Sequence, residues 1–84
     1  MFKANHEQLD QYNISIYPNP TSGIINITGL TQPAEVKIYS IQGQLLKSEH
    51  QVENMIDISD LPAGMYLLNL ITGDTILKKT IVKK

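Results

Sequence analysis

Cysteine, tryptophan and arginine are absent from this sequence of 84 residues, and phenylalanine occurs once. Without cysteine the chain cannot form disulfides, thiolate zinc sites or a cysteine nucleophile. Seven lysines against eight acidic residues leave a formal net charge of -1, so no net basic surface indicates a nucleic-acid partner. No apolar run approaches the ~20 residues of a membrane span, and the first residues lack the apolar core of a signal peptide.

The length and composition predict one small globular domain. A chain of 84 residues allows one domain and argues against two, and a hydrophobic content of 42% is typical of a folded protein. A chain of this size buries roughly 63% of its extended surface, so little area remains for a deep catalytic cleft.

The spacing of apolar and turn residues predicts an all-β fold. From Asn13 onward, short runs that alternate apolar and polar residues are separated by glycine, proline, asparagine and aspartate. Seven such runs, about 9–12 residues apart, favour an immunoglobulin-like antiparallel β-sandwich, with a small barrel as the alternative. Residues 1–12 are polar and aperiodic, which predicts a linker or an expression remnant before a domain over residues 13–84.

Three segments carry more specific structural predictions. Pro18 and Pro20 lack a ladder donor and should end the first strand. The apolar run over residues 65–71 indicates a central strand that is covered on both faces. Gly73 should lead a tight hairpin turn of the primed kind.

Few residues could carry catalytic or metal chemistry. His6 and His50 have no second histidine or cysteine nearby, so we expect both to be solvated surface residues. Asp57 and Asp60 could form half of a calcium site, but the glycine and distal glutamate of an EF-hand loop are missing. We therefore expect Asp57 to face solvent and Asp60 to accept a hydrogen bond from its own turn. No catalytic, metal or cofactor site is predicted, and the chain is not expected to be an enzyme.

Two groups of side chains leave alternatives open. Tyr17, Tyr39 and Tyr66 could form a strip that binds sugar, which would make the domain a carbohydrate- or surface-binding immunoglobulin-like module, although packing is the default role for such residues. Four of the seven lysines fall within the last seven residues, 78–84. They could protect an edge strand from aggregation or be recognised by another protein.

The turn motifs, taken together and in order, resemble a known family. Residues 16–23 (IYPNPTSG) are similar to the opening YPNP-x-x-G block of the type A C-terminal sorting domain of the type IX secretion system. Residues 36–44 (VKIYSIQGQ) are similar to its middle block, and residues 56–66 (IDISDLPAGMY) to its L-P-x-G-x-Y block. Residues 79–84 (KTIVKK) resemble its basic terminus.

The resemblance implies a non-catalytic sorting signal at the end of a larger cargo protein. Family members have an immunoglobulin-like sandwich and direct cargo from the periplasm through an outer-membrane translocon. A sortase-like peptidase commonly removes the domain, here in the segment ending near Tyr12, and the cargo is released or anchored at the cell surface. The implied partners are therefore the translocon, the peptidase and an upstream cargo domain. The implied signal positions are Pro18, Pro20, Gly23, Gly64, Tyr66, Lys83 and Lys84.

Overall fold

The computed structural model describes residues 13–84 as seven strands joined by short turns. The predicted linker over residues 1–12, including His6, lies outside the described residues. The strands are β1 (Ser15–Tyr17), β2 (Ile24–Thr28), β3 (Ala34–Ser40), β4 (Leu45–Val52), β5 (Met55–Asp57), β6 (Gly64–Thr72) and β7 (Thr75–Lys83).

The strands form two antiparallel sheets, which confirms the predicted sandwich. One sheet has three strands in the order β1-β2-β5, and the other has four in the order β4-β3-β6-β7. An immunoglobulin constant-type domain places its fourth strand in the sheet that contains the first two strands. Here β4 pairs with β3 instead, so the larger sheet includes both long hairpins.

The core lies between the sheets and follows from the alternation of each strand. In β3, Val36 and Ile38 are fully buried while Lys37 between them is half-buried on the outer face. β-branched side chains pack well on such a pleated surface, and isoleucine dominates this core. The buried apolar residues are Ile14, Ile16, Ile25, Ile27, Ala34, Val36, Ile38, Val52, Ile56, Ile58, Tyr66, Leu68, Leu70 and Ile81.

The most apolar strand, β6, is central, but it is not covered on both faces. It lies between β3 and β7, as predicted. Its inward residues Leu68 and Leu70 are fully buried, whereas the outward residues Met65 and Leu67 are 52% and 38% exposed. The prediction of two covered faces was wrong because the outward apolar residues of β6 belong to an open sheet surface.

The β6–β7 connection confirms the predicted hairpin. Thr72 pairs with Thr75, so the loop has two residues. Gly73 has a φ of 57°, and its neighbour Asp74 is not among the described residues with positive φ, which is the pattern of a type II′ turn. Across residues 13–84, no helix is long and apolar enough to cross a membrane.

Candidate functional site

The sequence blocks that resemble sorting signals converge at one end of the sandwich. The loop over residues 18–23 follows β1, and Thr21 forms a parallel bridge with Lys83 of β7. In the same place Gly64, the first residue of β6, pairs with Lys83. We refer to the loop over residues 18–23, the start of β6 and the end of β7 as the motif end. The described residues begin at the opposite end, where Gly29 approaches the backbone of Asn13.

Asn19 holds the outer edge of β7 with its side-chain amide. Its Nδ2 donates to the carbonyl oxygen of Thr80 at 2.8 Å, and its Oδ1 accepts from the backbone N–H of Val82 at 2.9 Å. An amide side chain carries both a donor and an acceptor, so it can make the hydrogen bonds that the backbone of a neighbouring strand would make at a sheet edge. Asn19 lies between two prolines whose preceding peptide bonds are both cis.

Thr21 continues the same contact with its backbone and secures the loop with its hydroxyl. Its N–H donates to the carbonyl of Val82 at 2.8 Å, and its carbonyl accepts from the N–H of Lys84 at 2.9 Å. Its Oγ1 donates to the carbonyl of Ile24 at 2.6 Å and accepts from the N–H of Gly23 at 3.0 Å. Thr21 is 1% exposed, so these bonds satisfy polar groups that water does not reach.

Gly23 is required by a close approach between the loop and the segment after β5. Its carbonyl accepts from the N–H of Ile58 at 2.7 Å. A Cβ at this position would lie 2.9 Å from the Cβ of Ser59. Any larger residue would therefore push the loop away from the chain segment that precedes β6.

Tyr66 has a structural role at the motif end. Its side chain is 7% exposed, and its hydroxyl donates to the carbonyl oxygen of Pro62. A tyrosine near the start of the sixth strand that bonds to the backbone a few residues upstream is the tyrosine corner of immunoglobulin-like sandwiches. The L-P-x-G-x-Y block therefore specifies this corner, and Tyr66 presents little surface to a partner.

Lys83 and Lys84 extend from the motif end with their ammonium groups available. Lys84 is exposed and Lys83 is half-buried. The ion pairs among residues 13–84 involve Lys37, Lys47 and His50, so neither terminal lysine has a described carboxylate partner. The loop over residues 18–23 fixes their backbone while their charges remain free to meet another molecule.

The two acidic candidates have different partners. Asp57 is exposed as predicted, and its Oδ1 accepts from the N–H of Ser59 at 2.8 Å. The hydroxyl and the N–H of Ser59, in that order, hold the pKa of the Asp57 carboxyl below its ordinary value. Asp60 was expected to bond its own turn, but its carboxylate binds the Nζ of Lys47 at 3.2 Å. Within the described residues, no three potential ligands cluster around a common point.

His50 and the three candidate tyrosines do not form a common site. His50 is exposed, with its Nδ1 3.7 Å from the carboxylate of Glu35. Tyr17 is 45% exposed on the three-stranded sheet, Tyr39 is half-buried on the four-stranded sheet, and Tyr66 is in the core. The three tyrosines share no face, so the proposed aromatic strip is not formed.

Sequence reasoning missed Asn19 and Thr21, the two residues that join the motif end. A signal for Asn19 was present, because asparagine commonly bonds nearby backbone in turns. Its actual partners are 61 and 63 residues away, and local turn chemistry does not identify them. Thr21 had no sequence signal beyond its position beside Pro20.

Comparison with known proteins identifies a family. The family described as "Secretion system C-terminal sorting domain" matches residues 15–84. The chain belongs to this family. Its members are C-terminal sorting signals for type IX secretion and are non-catalytic in general. The chain is also similar to beta-agarase D of Zobellia galactanivorans, with 26% identity over 73 residues that cover 84% of this chain and 15% of the agarase. The chain thus spans a small part of that relative's length.

Proposed function

We propose that this domain is the sorting signal of a larger cargo protein and directs its export from the periplasm through the outer-membrane translocon. The cargo then reaches the cell surface or the medium, and a sortase-like peptidase removes the domain upstream of residue 13. The observation that carries the proposal is the convergence of the sorting-family blocks at the motif end. There Asn19 and Thr21 fix the backbone of the last β7 residues.

Within this proposal the seven signal positions divide into two groups. Gly23 and Tyr66 build the motif end through close packing and the tyrosine corner. Gly64 pairs with Lys83 at the start of β6, and the two prolines shape the loop that reaches β7. Lys83 and Lys84 are the groups that a receptor contacts, because they lie at the motif end and their charges have no described partner. Carboxylates on a receptor would complement them.

The proposal is tested by export of a reporter protein. The 84-residue chain is fused behind a reporter that carries a periplasmic signal peptide, in a cell that has a type IX system. We expect to find the reporter outside the cell. Its measured mass should show that the fusion has been cleaved near residue 12 of the sorting chain. A reporter that stays in the periplasm with the intact chain would overturn the proposed function.

The terminal lysines need variants that preserve the fold. Deleting residues 80–84 should retain the reporter in the periplasm, but it also removes Ile81, which is fully buried. The double variant Lys83→Ala/Lys84→Ala keeps the backbone bonds of the motif end and removes the two charges. We expect it to block export, whereas Lys47→Gln, at the opposite edge of the sheet, should export normally. Normal export of the double variant would contradict the role of the lysines.

A further inference from the structure

An apolar band crosses the outer face of the four-stranded sheet next to the motif end. Leu45 pairs with Tyr39, Tyr39 pairs with Leu67, and Met65 pairs with Val82, so these five side chains share one face. Met65 is 52% exposed, Leu45 49%, Leu67 38% and Val82 36%. Contiguous exposed apolar surface of this kind on a soluble domain marks an interaction site more often than scattered apolar residues do.

The band contains a depression that could receive a projecting side chain. It has a volume of about 400 Å³, and Tyr39 and Leu67 form part of its wall. Asn69 and Lys78 line it on the side away from the motif end. An apolar recess with a few polar groups at its rim is the common form of an anchor site for a partner's side chain.

Lysines border the band on two sides. Lys37 and Lys78 both pair with Asn69, so a row containing two lysines borders the band. Lys84 lies beyond the band at the motif end. Glu35 is on the far side of the lysine row, where Lys37 and His50 each lie 3.7 Å from its carboxylate.

We propose that the apolar band docks a protein surface that offers an apolar side chain surrounded by carboxylates. This inference rests on the proposed sorting function and assigns the face by which the folded domain is received. The recess takes the apolar anchor, and Lys78 and Lys84 meet acidic groups at its border. Charge complementarity of this kind raises association rates and disfavours partners of the wrong charge.

A second copy of the chain fits this face poorly. A two-fold interface brings the same patch of each subunit together, so the lysines bordering one band would face the lysines of the other. An anionic lipid surface would match the lysines, but the recess favours a projecting side chain over a layer of headgroups. Self-association and lipid binding would each give a different result in the measurements described below.

The experiment compares matched variants in the reporter fusion. Leu67→Glu places a charge in the recess, and Met55→Glu places the same charge on the exposed outer face of the three-stranded sheet, where Met55 is 45% exposed. We expect Leu67→Glu to lower export by about tenfold or more, as the loss of an interface anchor does. Met55→Glu should change export less than twofold. Lys78→Gln should lower export severalfold, and Lys47→Gln should not.

Folding and association are measured on the same variants of the 84-residue chain. Leu67→Glu should keep the melting temperature of the unmodified protein, because Leu67 is outside the core. If the intact chain exports its reporter and folded Leu67→Glu exports equally well, the docking inference is wrong while the sorting function stands. If the intact chain fails to export, the sorting function itself is wrong.

Two further measurements separate the alternative occupants. Sedimentation should find the intact chain monomeric, and a dimer that Leu67→Glu abolishes would assign the band to self-association. Flotation with phosphatidylglycerol vesicles should leave the chain unbound. Vesicle binding that is lost in Leu67→Glu would assign the band to a membrane surface, and either result would overturn the proposal.

Discussion

At the motif end the two edges of the sandwich are held together in different ways. Along β7, the loop over residues 18–23 supplies two backbone bonds from Thr21 and two side-chain bonds from Asn19. Along β4, an ion pair between Lys47 and Asp60 links the strand to the segment after β5, and the two side chains are 18% and 67% exposed. We refer to these as the closed edge and the open edge.

The two edges differ in how firmly their backbone is fixed. The closed edge contains the last residues of β7, where a sorting signal is expected, and its central residue Thr21 is buried. Buried hydrogen-bonded groups are costly to disturb, whereas exposed ion pairs contribute little. We therefore expect the closed edge to be more sensitive to the loss of its hydrogen bonds than the open edge is to the loss of its ion pair.

The largest effect should come from removing the hydroxyl of Thr21 at the closed edge. Thr21→Val keeps the side-chain shape but leaves the Ile24 carbonyl and the Gly23 N–H without their partner. We expect the free energy of unfolding to fall by about 2 kcal/mol, the cost of leaving buried polar groups unsatisfied. Urea denaturation measures the change.

The matched control for Thr21 is an exposed threonine of β7, the strand that the loop over residues 18–23 contacts. Thr80→Val changes the same atoms at a position whose side chain is exposed, and it should alter stability by less than about 0.5 kcal/mol. Equal losses for the two variants would show that the buried hydroxyl does not distinguish the closed edge.

The two edges also differ in how far sequence reasoning reached. Seven strands, the turn at Gly73 and the exposure of His50 follow from local patterns, and the structure has all three. The closed edge depends on Asn19 meeting β7 more than 60 residues later, and no period or turn rule encodes such a pairing. The open face of β6 was misjudged for a related reason, because an apolar run does not reveal which of its residues lie on an uncovered surface.

The open edge should be insensitive to loss of its ion pair. Lys47→Met removes the ammonium group and keeps the apolar stem, and we expect the free energy of unfolding to change by about 0.5 kcal/mol or less. Any difference from the unmodified protein should shrink in high salt, because screening weakens exposed pairs. Urea denaturation at low and high ionic strength checks both points. A loss as large as that of Thr21→Val would remove the distinction between the edges.

The smallest effect should be a change in the titration of Asp57, which lies in β5 near the open edge. The Ser59 hydroxyl is the main cause that lowers the pKa of Asp57 from its ordinary value of 3.8, followed by the Ser59 N–H, with a smaller contribution from Lys47. Ser59→Ala should raise this pKa toward 3.8 but not fully, because the backbone bond remains. Carboxyl chemical shifts followed by NMR measure it, and Lys47→Met should raise the pKa by less.

The sign of the accompanying stability change follows from the lowered pKa. A carboxyl whose pKa is lower in the folded state stabilises the protein above its unfolded pKa, and this contribution is lost as pH falls through the folded value. Ser59→Ala should therefore lose less stability than the unmodified protein when the pH is lowered from neutral through that range. A larger shift from Lys47→Met than from Ser59→Ala would mean that the open-edge lysine, and not the turn after β5, controls the charge of Asp57.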